Sequence, residues 1–228
     1  MSAASSRTVR RARQKQTSLS PDAAVASHGN QPRCGWVGSD PLMVAYHDVE
    51  WGVPVHDDQK LFEFMVLDAM QAGLNFRIIL QKRENFKQAL DGFDPVKIAK
   101  YRDIDLDRLV RTEGIIRNHQ KLAATIANAQ AALKIQQEFG SLDSYLWRFV
   151  DGRPKVNAWK RTSQIPAISP EAEAMSSDLK GRGFKFVGPT ICYAFMQAAG
   201  LVNDHLTNCF RYAELANTGK RRSRSKAS

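Results

Sequence analysis

An all-α fold is what the sequence predicts, and three observations carry that reading. Between residues 58 and 216 apolar side chains return at three- and four-residue steps, as along Leu61, Met65 and Ala72, a face that also bears Asp68, or Leu122, Ile126, Ala129 and Leu133. That is the spacing of one helix face. The alternation expected of a half-buried strand is nearly absent. Prolines and glycines fall at the places where helices would begin and end.

Taken along the chain, the face Leu61 to Ala72 stops near Gly73, and Asp94-Pro95 opens a later helix. Ser141, Ser169-Pro170 and Gly188-Pro189 open others, because proline's fixed φ suits a first helical turn and Ser or Asp accepts a free N–H there. Gly140, Gly183 and Gly200 mark further stops. Residues 151–168 contain Gly152, Pro154 and Pro166 and show no clear period, so they read as a long connection. There is no internal repeat. The body is expected to be one all-α domain, in one or two lobes, over residues 32–216.

The chain has 228 residues, 43% of them hydrophobic and 25% charged, which is the composition of an ordinary globular protein. Three cysteines make no disulfide framework, and no apolar run approaches the roughly 20 residues of a membrane span. A secreted miniprotein and a membrane protein are both excluded on this reading. The net charge of +10 suggests a nucleic-acid partner, but its position matters more than its size. Six bases against Asp22 stand in residues 1–33, and five bases with no acid stand in residues 217–228. Residues 34–216 are therefore neutral, with 22 bases and 22 acids. Residues 1–31 and 217–228 are expected to be disordered basic tails, too poor in large apolar side chains to offset the entropy of ordering. Such tails suit either salt-dependent phosphate contact or a solubilising or targeting role. The Arg- and Ser-rich start also fits an organelle transit peptide, although it shows no clear amphipathic period.

Two Cys/His pairs stand at opposite ends of the body: Cys34 with His47, and His205 with Cys209. On a helix, the four-residue step from His205 to Cys209 would put both side chains on one face. Two thiolates and two imidazoles suit a closed tetrahedral zinc site, which would clip the N-terminal segment to the last helix. The spacing alone leaves open that each of these residues is packed in the core. Cys192, in an apolar run, reads as a core cysteine, and His28, His56 and His119 read as surface or loop histidines.

Asp68 shares its helix face with Leu61, Met65 and Ala72, where an unpaired charge is expensive. It requires either a structural partner or a function. Trp36, Tyr46, Trp51 and Phe76 lie in the same stretch of chain. Aromatic faces around one anion suit a flat cationic heterocycle, though such clusters also build cores. In the segment Leu109 to Lys121, one helix stops at Gly114 and another starts near Asn118, whose free N–H groups form a site for a phosphate oxygen. Arg117 and Lys121 add charge; the plain alternative is a connector.

These pieces together resemble the 3-methyladenine DNA glycosylase I family of base-excision repair. The resemblance runs from about Arg33 to Tyr212. It is carried by Arg33-Cys34-Gly35-Trp36, Ala45-Tyr46-His47-Asp48, Glu50-Trp51-Gly52-Val53-Pro54, Gln71-Ala72-Gly73-Leu74, Lys82-Arg83-Glu84-Asn85, Phe93-Asp94-Pro95, the run Arg182 to Gly188, Phe195-Met196-Gln197-Ala198 and Asn203-Asp204-His205. It implies an all-α helix-hairpin-helix glycosylase fold with a structural zinc held by Cys34, His47, His205 and Cys209. It also implies catalytic roles for Asp68 and Tyr46, a base pocket completed by Trp36, Trp51 and Phe76, and a DNA-backbone hairpin at Gly114, Arg117, Asn118 and Lys121. The partner implied is double-stranded DNA carrying alkylated bases, met by a monomer with no obligate protein partner and no membrane. The compartment implied is the cytoplasm and its nucleoid in a bacterium, or a nucleus or organelle if the N-terminal tail is a targeting segment.

Three positions depart from the family's usual pattern: Asp68 stands for a glutamate, Phe76 for a tryptophan and Met43 for a tyrosine. The acid is one methylene shorter and two polar contributions to the pocket are gone, which bears on lesion range more than on fold. The function expected is a monofunctional glycosylase that flips out and removes 3-methyladenine. The alternatives are a glycosylase of altered lesion range, a zinc-stabilised lesion-binding protein without catalysis, and a lyase using Lys121 as an amine nucleophile.

Overall fold

A computed structural model of the chain describes Gly29 and residues 31–224, with side chains through Asn217. Its order is α1 (Pro41–Val49), α2 (Asp58–Gln71), α3 (Phe76–Gln81), α4 (Arg83–Ala89), α5 (Pro95–Ile98), α6 (Asp103–Arg111), α7 (His119–Phe139), α8 (Leu142–Trp147), β1 (Lys155–Val156), α9 (Pro170–Gly181), α10 (Pro189–Ala198), β2 (Val202–Asn203) and α11 (Phe210–Arg224). The expected starts hold, with Asp94, Asn118, Ser141 and Ser169 each accepting a backbone N–H of the first turn.

At the centre lies α2, whose Leu61, Phe62, Phe64, Met65, Leu67 and Met70 are all buried. It packs against α3, α7, α8 and α10. A helix covered on nearly every side is apolar almost all round, and this makes its one buried acid, Asp68, conspicuous. The longest helix, α7, carries α5 and α6, while α9 and α10 pair with each other and α10 packs on α2. The sole strand pairing among the described residues is a two-residue parallel bridge, Lys155 with Val202 and Val156 with Asn203. It pins the long 151–168 connection to the segment between α10 and α11.

The expected tail of residues 1–31 falls outside the described residues up to His28. At the other end α11 continues to Arg224, beyond the boundary at 217 that composition suggested. Extending a helix from a docked turn needs little besides one hydrogen bond per residue.

Candidate functional site

Cys34, His47, His205 and Cys209 are all buried, and their ligand atoms lie within 4.8 Å of one another. Cys209 Sγ is 3.4 Å from His47 Nε2 and 3.5 Å from His205 Nδ1, and Cys34 Sγ is 3.6 Å from His205 Nδ1. The other nitrogen of each ring is already engaged: His47 Nδ1 lies 2.7 Å from Asp48 Oδ1 and His205 Nε2 lies 3.0 Å from the Trp51 carbonyl. This fixes which nitrogen of each ring faces the cluster. Asp48 is in turn clasped by Arg33 at 2.7–3.0 Å. Burial pushes the Asp48 carboxyl up, but the hydrogen bonds from Arg33 and His47 hold it below the usual carboxylate range. Hydrogen bonding from Cys34, then from His205 and His47, holds the Cys209 thiol far below its ordinary value. A stabilised thiolate beside two oriented imidazoles is a donor set prepared for a soft or borderline metal ion.

The route to this cluster differs from the one the spacing suggested. His205 and Cys209 are not on a helix; they lie in the irregular segment before α11. A tight turn places them, with the Cys209 N–H donating to the Leu206 carbonyl, and the Asn203 side chain accepts from the His205 N–H. Gly52 permits the approach of His205: at its φ of +80° a Cβ would sit 2.9 Å from His205 Nε2.

Next to the Cys/His cluster opens a cavity of about 330 Å³, lined by Trp36, Met43, Tyr46, Trp51, Asp68, Gln71, Phe76, Thr162, Ile165, Ala194 and Gln197. All five residues expected from the sequence to form a base pocket are in this lining. Asp68 is only 3% exposed, and its Oδ2 has no hydrogen-bond partner. Burial alone pushes its carboxyl well above the ordinary aspartate value. The structural alternative, a salt bridge or helix-end bond, is thus not what occupies this acid. Tyr46 and Phe76 rings meet at 5.0 Å and 50°, and Trp36 and Trp51 at 5.0 Å and 71°. Burial, and then the nearby Asp68 charge, push the Tyr46 hydroxyl well above its usual value, so it remains a neutral donor.

Cavity and Cys/His cluster share a wall. Trp51 lies edge-on to His205 at 4.6 Å and Trp36 to His47 at 5.5 Å. Helix α1 serves both, because the consecutive Tyr46 and His47 point about 100° apart around the helix. Gln71, Thr162, Ile165, Ala194 and Gln197 were not assigned to the pocket from the sequence, although Gln71 and Gln197 stand in blocks that carry the resemblance. Thr162 and Ile165 come from a connection without periodicity, and Gln197 is an ordinary polar residue on a helix.

At the hairpin, α6 ends at Arg111 and α7 starts at His119 with Asn118 as its cap, accepting from the Lys121 N–H at 3.1 Å. Arg117 and Asn118 are exposed. Gly114 takes a φ of +82°, and a Cβ there would come within 2.3 Å of Asn85 Nδ2. Its carbonyl accepts from Lys82 Nζ and Asn85 Nδ2, each at 3.2 Å. Arg83 between them binds Glu50 at 2.8 and 2.9 Å and Glu63 at 2.6 Å. The Lys82-Arg83-Glu84-Asn85 block thus fastens the hairpin turn to the helices that carry the cavity.

Lys121 is a correction. Its ammonium is buried and donates to the Met70 carbonyl at 2.8 Å and the Ala72 carbonyl at 2.7 Å, closing the C-terminus of α2. It is neither a surface phosphate ligand nor a free amine facing the cavity. Cys192 is buried as expected, His119 is exposed, and His56 lies 2.8 Å from Asp143; His28 lies outside the described residues.

Comparison with known proteins adds independent observations. A family model described as methyladenine glycosylase matches residues 36–212. The chain is 49% identical over 180 residues to DNA-3-methyladenine glycosylase 1 of Escherichia coli, an alignment covering 79% of this chain and 96% of that one. It is 44% identical to DNA-3-methyladenine glycosylase of Haemophilus influenzae, over 78% of this chain and 96% of that one. Among solved structures, a crystal structure of 3-methyladenine DNA glycosylase I superposes with a TM-score of 0.77 at 49% identity, covering 78% of this chain and 98% of that one. The Staphylococcus aureus enzyme, solved to show 3-methyladenine recognition, gives 0.77 at 37% identity over 79% and 96% of the two chains. With helical architecture, cavity and Cys/His cluster in place, the chain belongs to the methyladenine glycosylase family.

Proposed function

We propose that the chain is a monofunctional DNA glycosylase that removes 3-methyladenine from double-stranded DNA. The observation that carries this is Asp68, a buried carboxyl with an unpartnered oxygen in an aromatic-walled cavity. A carboxylate in such a place lacks a counter-charge, and an alkylated purine still joined to its sugar supplies one. The names of the relatives, which act on 3-methyladenine, support the same reading.

The chemistry asks little acid–base work of the protein. Extruding the nucleotide is easiest where damage has weakened pairing and stacking. An adenine methylated at N3 is cationic, so when its bond to C1′ breaks the electron pair returns to the ring and the base leaves neutral. Water then attacks C1′ and loses its proton to solvent. The residues hold and polarise: Tyr46 and Phe76 face the ring, Trp36 and Trp51 support the slot, and Asp68 meets the positively charged edge. A fixed anion in a site drained of water acts more strongly than it would in solvent. The N-terminus of α7, with the exposed Arg117 and Asn118 and the turn at Gly114, takes a backbone phosphate outside the slot. Its relatives are bacterial, which supports a monomer working on DNA in the cytoplasm, with a nucleus or organelle as the alternative if the N-terminal tail is a targeting segment.

Cys34, His47, His205 and Cys209 would hold a zinc ion, since two thiols and two imidazoles are donors that zinc prefers and their S···N separations of 3.4–3.6 Å bring them around one point. With four protein donors the ion would be structural and would supply a crosslink.

The test is chromatography of bases released from methylated DNA. The chain is expected to release 3-methyladenine, and Asp68→Asn to lose most of that release while keeping its metal content and helicity. Equal release by Asp68→Asn removes the assignment; lesion binding with no release by the unaltered chain makes it a binding protein instead.

A further inference from the structure

Gln197 lines the cavity from α10, as does Ala194 one turn before it. Its side-chain Nε2 donates to Asp204 Oδ2 at 2.8 Å. Asp204 is only 1% exposed and accepts three further bonds, from Tyr193 OH at 2.5 Å, Trp159 Nε1 at 2.8 Å and Asn157 Nδ2 at 2.7 Å. An amide has a donor end and an acceptor end that exchange on a half-turn, and a carboxylate only accepts. The Asp204 carboxylate therefore fixes the amide one way round: nitrogen toward Asp204, carbonyl oxygen left for the cavity. The segment bearing Asp204 is rigid on independent grounds, since Asn203 is paired with Val156 and Asn203 also binds the Tyr212 carbonyl at 3.2 Å.

We propose that Gln197, locked by Asp204 with its carbonyl toward the cavity, discriminates purines at position 6. An adenine presents an amine there and can donate to the carbonyl oxygen. A guanine presents an oxygen, which would face a second oxygen with no proton between them. A flexible glutamine would turn its –NH₂ toward guanine; the four-donor grip on Asp204 blocks that turn. Gln197 is then a specificity-determining residue and Asp204 its positioning residue. This rests on the reading of the cavity as a base pocket and names which alkylated purine it prefers.

The experiment measures release of 3-methyladenine and of 3-methylguanine from the same methylated DNA, as a ratio of kcat/KM values, alongside Asp68→Asn. Gln197→Met keeps the length but removes both polar ends, and the ratio is expected to fall about tenfold or more, since rejection by an unpaired buried oxygen is lost. Asp204→Asn gives the grip an amide donor, which lets Gln197 turn its carbonyl inward and its –NH₂ to the cavity, so the ratio is expected to move further toward 3-methylguanine. A loss of fold would lower both rates without moving the ratio, and metal content and helicity identify it; Gln197→Ala then carries the same comparison. If folded Gln197 variants keep the ratio within twofold while Asp68→Asn still abolishes release, the proposal is overturned and the pocket reading stands. If the unaltered chain releases neither base, the pocket reading fails and takes this proposal with it.

Discussion

Asp68 is where local stability and binding pull in opposite directions. Its carboxyl is lifted by burial alone, so the folded chain holds the proton more tightly than the unfolded chain does. Stability is then greatest below the unfolded aspartate value of about 3.9, falls as pH rises through the interval up to the raised folded value, and is flat above it. The loss is about 1.4 kcal/mol for each pH unit by which burial lifts the acid. Asp68→Asn removes it, so the variant is expected to be more stable than the parent at pH 7, with the difference closing toward pH 4 in denaturant melts. A parent that is more stable than Asp68→Asn at pH 7 would mean that the acid has a structural partner. Binding follows the opposite slope, because a cationic base prefers the ionised acid, and kcat/KM on methylated DNA should rise with pH through the same interval in the parent and not in Asp68→Asn. Asp68 was legible in the sequence because a carboxylate on an apolar helix face contradicts its surroundings. Gln197 was not, since its significance depends on Asp204, which reaches it through a fold that no local pattern records.

Among the elements, the hairpin was legible in outline and misread in one detail. Gly114 and Asn118 announce the turn and the cap through their conformational preferences, and both hold. The direction of the Lys121 side chain depends on where α2 ends in space, which no spacing within 109–121 contains. Because its ammonium closes two carbonyls of α2, Lys121→Met is expected to lower stability by about 2 kcal/mol in denaturant titration. Arg117→Ala is exposed and should leave stability unchanged while weakening DNA binding, with the salt dependence of the logarithm of affinity reduced by about 1. An unchanged salt slope would place the phosphate contact elsewhere. The His205–Cys209 step shows the limit of spacing arguments in another way. A four-residue interval fits a helix, but a turn held by Asn203 and the β1–β2 bridge brings the same side chains together.

Over the whole molecule, ligands 171 residues apart in sequence converge on one centre, Cys34 from before α1 and His205 from before α11. A crosslink over so long a loop removes about 5 kcal/mol of unfolded-state entropy by the same reasoning that applies to disulfides. Metal analysis should find one ion per chain, and chelation or Cys34→Ser should lower stability by an amount of that order. Because Trp36 and Trp51 lean on His47 and His205, tryptophan fluorescence should change with metal loss at temperatures where the helices persist. A chain that melts identically with and without chelator has no such clip. Composition and periodicity were enough to predict the helical class, but the closure of the two ends was visible only as four residue types at suggestive positions. Their convergence is a property of the assembled fold.

The central claim is that Asp68 is an acid kept without a partner until a charged base arrives. It is tested most directly by the carbon-13 resonance of the Asp68 carboxyl, followed through a pH titration with and without a permanently cationic purine, such as an N-alkylated adenine nucleoside analogue that cannot be cleaved. The account predicts a carboxyl that stays protonated well above the ordinary aspartate range in the free protein and ionises on binding. A carboxyl that titrates normally, or whose titration is the same with the base bound, would contradict it.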